Sequence, residues 1–239
     1  MTLTSESTVA DIATTLPATI AVFQQHHIDF CCGGRIPLAE ACQARGISVD
    51  AVLTDLRAAV APSSAEPDWN SAPLTDLVSH IQQRFHEPLR QELPRLSAML
   101  QKVLSRHGDR LAETLLPVQR KFEMLQEDLL GHMAKEDQVL FPAIVALERG
   151  TASPMPNVSA WIAAPIAVME AEHADAGAAL DFIRRMTDGY TPPEWACPTF
   201  RGLYYGLSQL QADMHLHVHL ENNVLFPRAA RLAAGGVKQ

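Results

Sequence analysis

An eleven-residue pattern, His-x3-Glu-x2-Val-Leu-Phe-Pro, occurs twice in this chain and limits its fold more than any other feature. The first copy runs from His132 through Glu136 to Pro142, the second from His217 through Glu221 to Pro227. Six positions coincide at identical offsets. On a helix, residues four apart share a face. Each copy therefore aims one imidazole and one carboxylate at the same point. Two such helices facing each other would hold a mixed nitrogen and oxygen cage suited to iron or manganese. One copy alone would read equally well as a solvated His–Glu pair. The repetition, with the same apolar tail, points to a metal site.

Two further histidines extend the pattern. His86 precedes His132 by 46 residues, and His173 precedes His217 by 44. The chain thus reads as two similar halves, each a helix with one His followed by a helix with His-x3-Glu. The candidate ligand set is His86, His132, Glu136, His173, His217 and Glu221. Six protein ligands for two metals leave coordination positions open, and both carboxylates can bridge. A structural zinc site would be closed and rich in cysteine, so this set predicts a reactive centre. His80 and His107 share a predicted helix with His86 and compete with it. His215 and His219 lie two residues either side of His217. A rotation of roughly 200° over two residues turns them away from it, so they read as surface or supporting groups. Glu172, beside His173, is the candidate acid for proton delivery or gating.

Composition narrows the class. A hydrophobic share of 47% and a charged share of 19% fit a globular protein. The net charge of −8, without a long basic run, argues against nucleic acid as a partner. The sequence shows no secretory signal, and its most apolar stretch, Val158 to Met169, is too short to span a bilayer and contains Pro165. The expectation is a cytoplasmic protein without a membrane partner. Its four cysteines, Cys31, Cys32, Cys42 and Cys197, follow neither a zinc nor a disulfide framework. They are expected as thiols.

The expected fold is all-α. A small helical N-terminal domain occupies 1–62, with short helices over 9–16, 18–27, 37–46 and 48–60 around a turn at 29–34. A linker follows over 63–72, overlapping the linker-like stretch at 61–67. An antiparallel four-helix bundle covers 73–232, with helices over about 73–107, 110–147, 160–186 and 198–232. No run alternates with period two, so no sheet is expected. Pro88 and Pro94 should kink or split the first bundle helix. Pro142 and Pro227 should mark bends just past the repeat.

With these residues placed, the chain resembles the repair-of-iron-centres family, hemerythrin-like di-iron proteins, over nearly its whole length. The run Asp29-Phe30-Cys31-Cys32-Gly33-Gly34 looks like the signature of that family's N-terminal domain. Met169-Glu-Ala-Glu-His173 and Leu220-Glu221-Asn-Asn-Val-Leu-Phe-Pro227 look like its hemerythrin-like motifs. The resemblance implies two non-haem iron ions, bridged by Glu136 and Glu221 and by an oxo group. It implies a stress-induced protein that restores damaged iron–sulfur clusters by supplying iron. Damaged iron–sulfur proteins or a cluster-assembly scaffold would be its partners, and a homodimer is compatible with it. Reduction of nitric oxide at the centre is an alternative, and an oxygen-binding or sensing role is a third. Carriers and sensors need no Cys-Cys domain, which favours the first two.

Cys31 and Cys32 are the candidate reactive thiols, for redox chemistry, nitrosation or transient iron handover. The flanking glycines argue against a purely packed role. His26 and His27, if protonated nearby, would lower a thiol pKa. Cys42 and Cys197 are expected in the core.

Overall fold

The computed structural model describes residues 3–60, 67–151 and 158–235, the last without the side chains of 158–160. The first part of the expected linker, through residue 66, and most of the loop expected over 150–156 lie outside these residues. The helices are α1 (Val9–Thr15), α2 (Ile20–Gln25), α3 (Leu38–Arg45), α4 (Val49–Ala59), α5 (Leu74–Ile81), α6 (Glu87–Lys135), α7 (Phe141–Glu148), α8 (Val158–Met186), α9 (Pro198–His219) and α10 (Phe226–Gly235). The chain is all-α: no strand occurs among the described residues, only one isolated antiparallel bridge between Thr8 and Pro37. None of their helices is long and apolar enough to cross a membrane.

The packing divides the chain into two compact units. One comprises Met1–Val78, Ile144–Ala163 and His215–Gln239; the other comprises Ser79–Ala143 and Ala164–Met214.

The second unit is an antiparallel four-helix arrangement, which its cross-helix contacts define. α6 reverses direction at Leu111, whose φ of −133° and ψ of 23° leave the helical region. Its two arms then lie side by side, with Arg90 paired to Asp137. Arg84 meets Asp213 at one end of the first arm, and His107 stacks on Phe200 at the other, so α9 runs antiparallel to that arm. Lys121 lies over the Phe182 ring and His132 meets His173, so α8 runs antiparallel to the second arm. Gln211 joins Asp181 and Tyr190 between α8 and α9. Leu93, Leu96, Leu100, Phe122 and Leu203 are among its fully buried side chains. At roughly 1.5–3 kcal/mol for each large apolar side chain, this burial is the main force holding the four arms together.

The prolines act differently from the sequence expectation. α6 continues through Pro94 and Pro117, with Leu111 as its only residue of non-helical dihedrals. Pro88, Pro142 and Pro227 do not split or end their helices. Each follows a wide π-helical segment instead: Gln82–His86, Glu136–Leu140 and Leu220–Leu225. In each segment an amide bonds the carbonyl five residues back: Glu87 to Gln82, Phe141 to Glu136 and Phe226 to Glu221. The proline comes one residue after that amide. It has no N–H for the carbonyl four residues back, and the wider ring takes up the mismatch in register.

In the first unit the N-terminal helices enclose a core of Val9, Ile12, Phe23, Phe30, Leu38, Val52 and Leu56. Thr8 caps α1 through a bond from the Asp11 amide, and Ser48 caps α4 through the Ala51 amide. Gly46 at φ 67° closes α3. The carboxylate of Glu148, on α7, accepts the amides of Leu74 and Thr75 and so caps α5.

Candidate metal centre

All six candidate ligands are buried, with exposures of 0–3%. In the four-helix unit, His132 and Glu136 lie one turn apart on the second arm of α6 and its π extension. His132 Nε2 is 3.2 Å from Glu136 Oε2, and His86 Nε2 approaches the same oxygen at 3.5 Å. His173, from α8, brings its Nε2 to 2.9 Å from His132 Nε2. One ligand atom from each of His132, Glu136 and His173 falls within 4.8 Å of the others, and His86 meets Glu136 in the same way. In the first unit, His217 Nε2 is 3.0 Å from Glu221 Oε1. Both copies of the repeat thus realise the four-residue spacing as a buried His–Glu contact.

The histidines are oriented from behind. His86 Nδ1 is 2.9 Å from Asp137 Oδ1, and its ring stacks on Phe141. Asp137 is also bonded by Gln82 and paired with Arg90. Burial would raise the Asp137 pKa, but the hydrogen bonds from His86, Gln82 and Arg90 hold it well below the usual carboxylate range. His132 Nδ1 is 2.8 Å from Glu172 Oε2, and Lys135 pairs with the other Glu172 oxygen. Burial again opposes ionisation of Glu172, while Lys135 and His132 lower its pKa. An ionised carboxylate can only accept, so Nδ1 of each imidazole carries the proton. The Nε2 lone pairs of His86 and His132 then face the Glu136 side, the tautomer that a metal-binding histidine needs.

Glu136 supplies the test of fit. It is fully buried, and among the described residues neither of its oxygens accepts a hydrogen bond. A buried carboxylate in that condition is costly. A cation at the converging Nε2 atoms would offset the cost. Nitrogen and oxygen donors without thiolate suit iron or manganese.

Asp137 escaped the sequence reading. The only hint was its place directly after Glu136, where the second copy has Asn222. His80 and His107 stand apart from the cluster: His80 packs on Phe85, and His107 packs on Trp195 and Phe200. His219 is not a surface group. It is 2% exposed, packs on Phe30, and is held neutral by burial, which pushes its pKa down to about 4. His215 is half-buried against the same ring.

The Cys31–Cys32 turn is built around Asp29. Its carboxylate accepts the amides of Cys31, Cys32 and Gly33 at 2.9–3.0 Å. Gly34 is required here, because a Cβ on it would sit 2.8 Å from the Phe30 carbonyl oxygen. The two sulfurs are 3.8 Å apart as thiols. Cys31 is buried against the expectation of an open turn, and Cys32 is half-buried. The neighbouring Cys32 thiol, burial and the Asp29 carboxylate all raise the Cys31 pKa. The expected lowering by His26 fails, since that imidazole pairs with Asp55 at 2.8 Å. Asn223 ties the turn to the last helix by donating to the carbonyls of Phe30 and Cys31. Cys42 is a core residue, but Cys197 is half-buried with its sulfur 3.4 Å from His107 Nε2.

Comparison with known proteins identifies two matched families along the chain. Residues 77–229 match the family described as Hemerythrin HHE cation binding domain, and residues 5–60 match a Domain of Unknown function (DUF542). A protein of Yersinia pseudotuberculosis serotype O:1b (strain IP 31758), named Iron-sulfur cluster repair protein YtfE, is 40% identical over 220 residues, covering 92% of this chain and 95% of the relative. The protein of the same name from Yersinia pestis (strain Pestoides F) is 39% identical over the same shares. The chain belongs to the hemerythrin HHE cation-binding family and to the repair-of-iron-centres proteins whose motifs its sequence carries.

Proposed function

We propose that this chain is a cytoplasmic di-iron protein that repairs damaged iron–sulfur clusters by supplying iron. His86, His132, Glu136, His173, His217 and Glu221 would hold the two ions. The observation that carries the reading is the buried Glu136 carboxylate facing the Nε2 atoms of His86 and His132. The name borne by the Yersinia relatives supports the repair role.

Bound iron would supply an exchangeable cargo and a redox-active centre. The chain's own residues set how firmly it is held. Asp137 and Glu172 keep the Nδ1 protons of His86 and His132 in place and leave each Nε2 as the donor atom. His132 Nε2 then accepts from His173 Nε2–H. For His173 to act as an Nε2 donor as well, its proton would have to sit on Nδ1. Lys135 pairs with Glu172 at the exposed end of this chain of contacts, within reach of solvent and of a recipient protein.

The test is the metal content and Mössbauer spectrum of anaerobically purified protein, beside His132→Ala and Glu221→Ala variants. About two coupled irons per chain, lost in the variants, is the expected result. The loaded protein should also restore activity to a hydro-lyase whose [4Fe–4S] cluster has been damaged. Wild-type iron content in both variants overturns the ligand set. Failure to restore the hydro-lyase, with steady formation of nitrous oxide from nitric oxide and a reductant, replaces repair with nitric oxide reduction.

A further inference from the structure

Within the first unit a cleft of about 480 Å³ opens between α1, the turn after Cys32 and the last helix. That volume is in the range of small-molecule sites, ~300–1,000 Å³. Its charged lining is Arg35, Arg228 and Arg231 against the single carboxylate of Asp11. Arg228 is committed to backbone carbonyls and lies in the field of Glu148 and Asp68, so the exposed Arg35 and Arg231 are the guanidiniums that would draw an anion to the cleft.

The walls are set before any ligand arrives. Arg228 donates to the carbonyls of Trp69 and Ala72, both at 2.5 Å. Asn70 donates to the Thr14 carbonyl at 2.7 Å, and Asn223 to those of Phe30 and Cys31. Binding would therefore order little beyond the exposed Arg35 and Arg231, which favours affinity.

The neighbours of the cleft give it meaning. Arg35 lies three residues beyond Cys32, and the lining residue Asn222 directly follows Glu221 on the same π segment. Guanidinium forks match carboxylates in geometry, while the Asn and Thr side chains can bond a hydroxyl. We propose that this arginine-lined cleft binds a small hydroxy-polycarboxylate of the iron-chelating class, through which iron reaches or leaves the centre as an anionic chelate. The proposal rests on the iron-supply reading and adds the chemical form of the cargo.

The experiment is calorimetric titration of the iron-loaded full-length protein, at low salt, with tricarballylate. This probe keeps three carboxylates but lacks the hydroxyl that makes citrate a strong chelator, so it reports the cleft without stripping the centre. One saturable site is expected, weakened roughly tenfold or more by Arg231→Glu and likewise by Arg35→Glu. Both side chains are exposed, so the variants should fold. The same variants should slow uptake of iron from ferric citrate by metal-free protein. No saturable binding, binding indifferent to both substitutions, or inorganic phosphate binding as tightly would each overturn the proposal. If tricarballylate binds but cluster repair fails, the cleft stands and the repair reading falls. If repair proceeds without such binding, this inference alone falls.

Discussion

The Nδ1 atom of His132 lies 2.8 Å from a carboxylate oxygen of Glu172, whose other oxygen pairs with Lys135. His86 repeats the arrangement with Asp137 and Arg90. Two imidazoles of the candidate centre are thus each backed by a carboxylate that a cation in turn holds ionised.

Glu172→Ala should weaken iron binding without unfolding the chain. Loss of a carboxylate behind a metal-binding histidine typically costs about 10–100-fold in metal affinity. Competition with a coloured chelator measures it. Glu172 is half-buried and sits outside the converging Nε2 atoms, so the helix content of the variant should match wild type. Unchanged affinity would remove Glu172 from the site.

Glu148 gives a pH dependence away from the metal. Burial opposes its ionisation, but the amides of Thr75 and Leu74, the Thr75 hydroxyl and Arg228 lower its pKa below the ordinary value of 4.5. A carboxylate with a depressed folded pKa contributes stability above its unfolded pKa, and that stability is lost as pH falls through the folded value. Denaturant melts of wild type should therefore lose stability below about pH 4.5. Glu148→Gln should lose less over that window while starting lower at neutral pH, by about 0.5–2 kcal/mol for a lost cap. Parallel curves for the two proteins would refute the cap.

Gly34→Ala tests the turn that holds the thiols. A Cβ there meets backbone atoms of Phe30, which cannot swing aside as a side-chain tip can. A loss of about 1–3 kcal/mol is expected on thermal or urea unfolding. Wild-type stability would show that the turn has another conformation at little cost.

The cysteines should separate by accessibility. Cys32 and Cys197 are half-buried, whereas Cys31 and Cys42 are buried with raised pKa values. Brief alkylation with iodoacetamide, read by peptide mass spectrometry, should label Cys32 and Cys197 ahead of the other two. Early labelling of Cys31 would contradict the role given to Asp29 and burial.

The helical architecture could be read from the sequence because it rests on local signals: long apolar periodicity, Gly46 as a stop, and Ser48 as a cap. The His–Glu spacing likewise needs nothing beyond one helical turn. What escaped depends on tertiary contacts. The burial of His219 is set by Phe30, nearly two hundred residues away in sequence. Asp137 gains its role from His86, Gln82 and Arg90 on the other arm of α6. Residue type alone places Cys197 in the core, yet it lies just before α9, half-buried beside His107. Pro88 and Pro94 misled because a proline need not split a helix: α6 continues through Pro94, and a wider ring precedes Pro88.

The wide rings at Gln82–His86, Glu136–Leu140 and Leu220–Leu225 make each of these helices locally one residue longer than a regular α-helix over the same path. Deleting Gln138 or Asn223 would therefore read as a repair of the helix and as damage to the protein. The backbone could close its ordinary four-residue bonds, but everything beyond the deletion would turn by about 100° relative to the histidine before it. The surplus residue works as a spacer that sets the angular phase between the two ends of each helix.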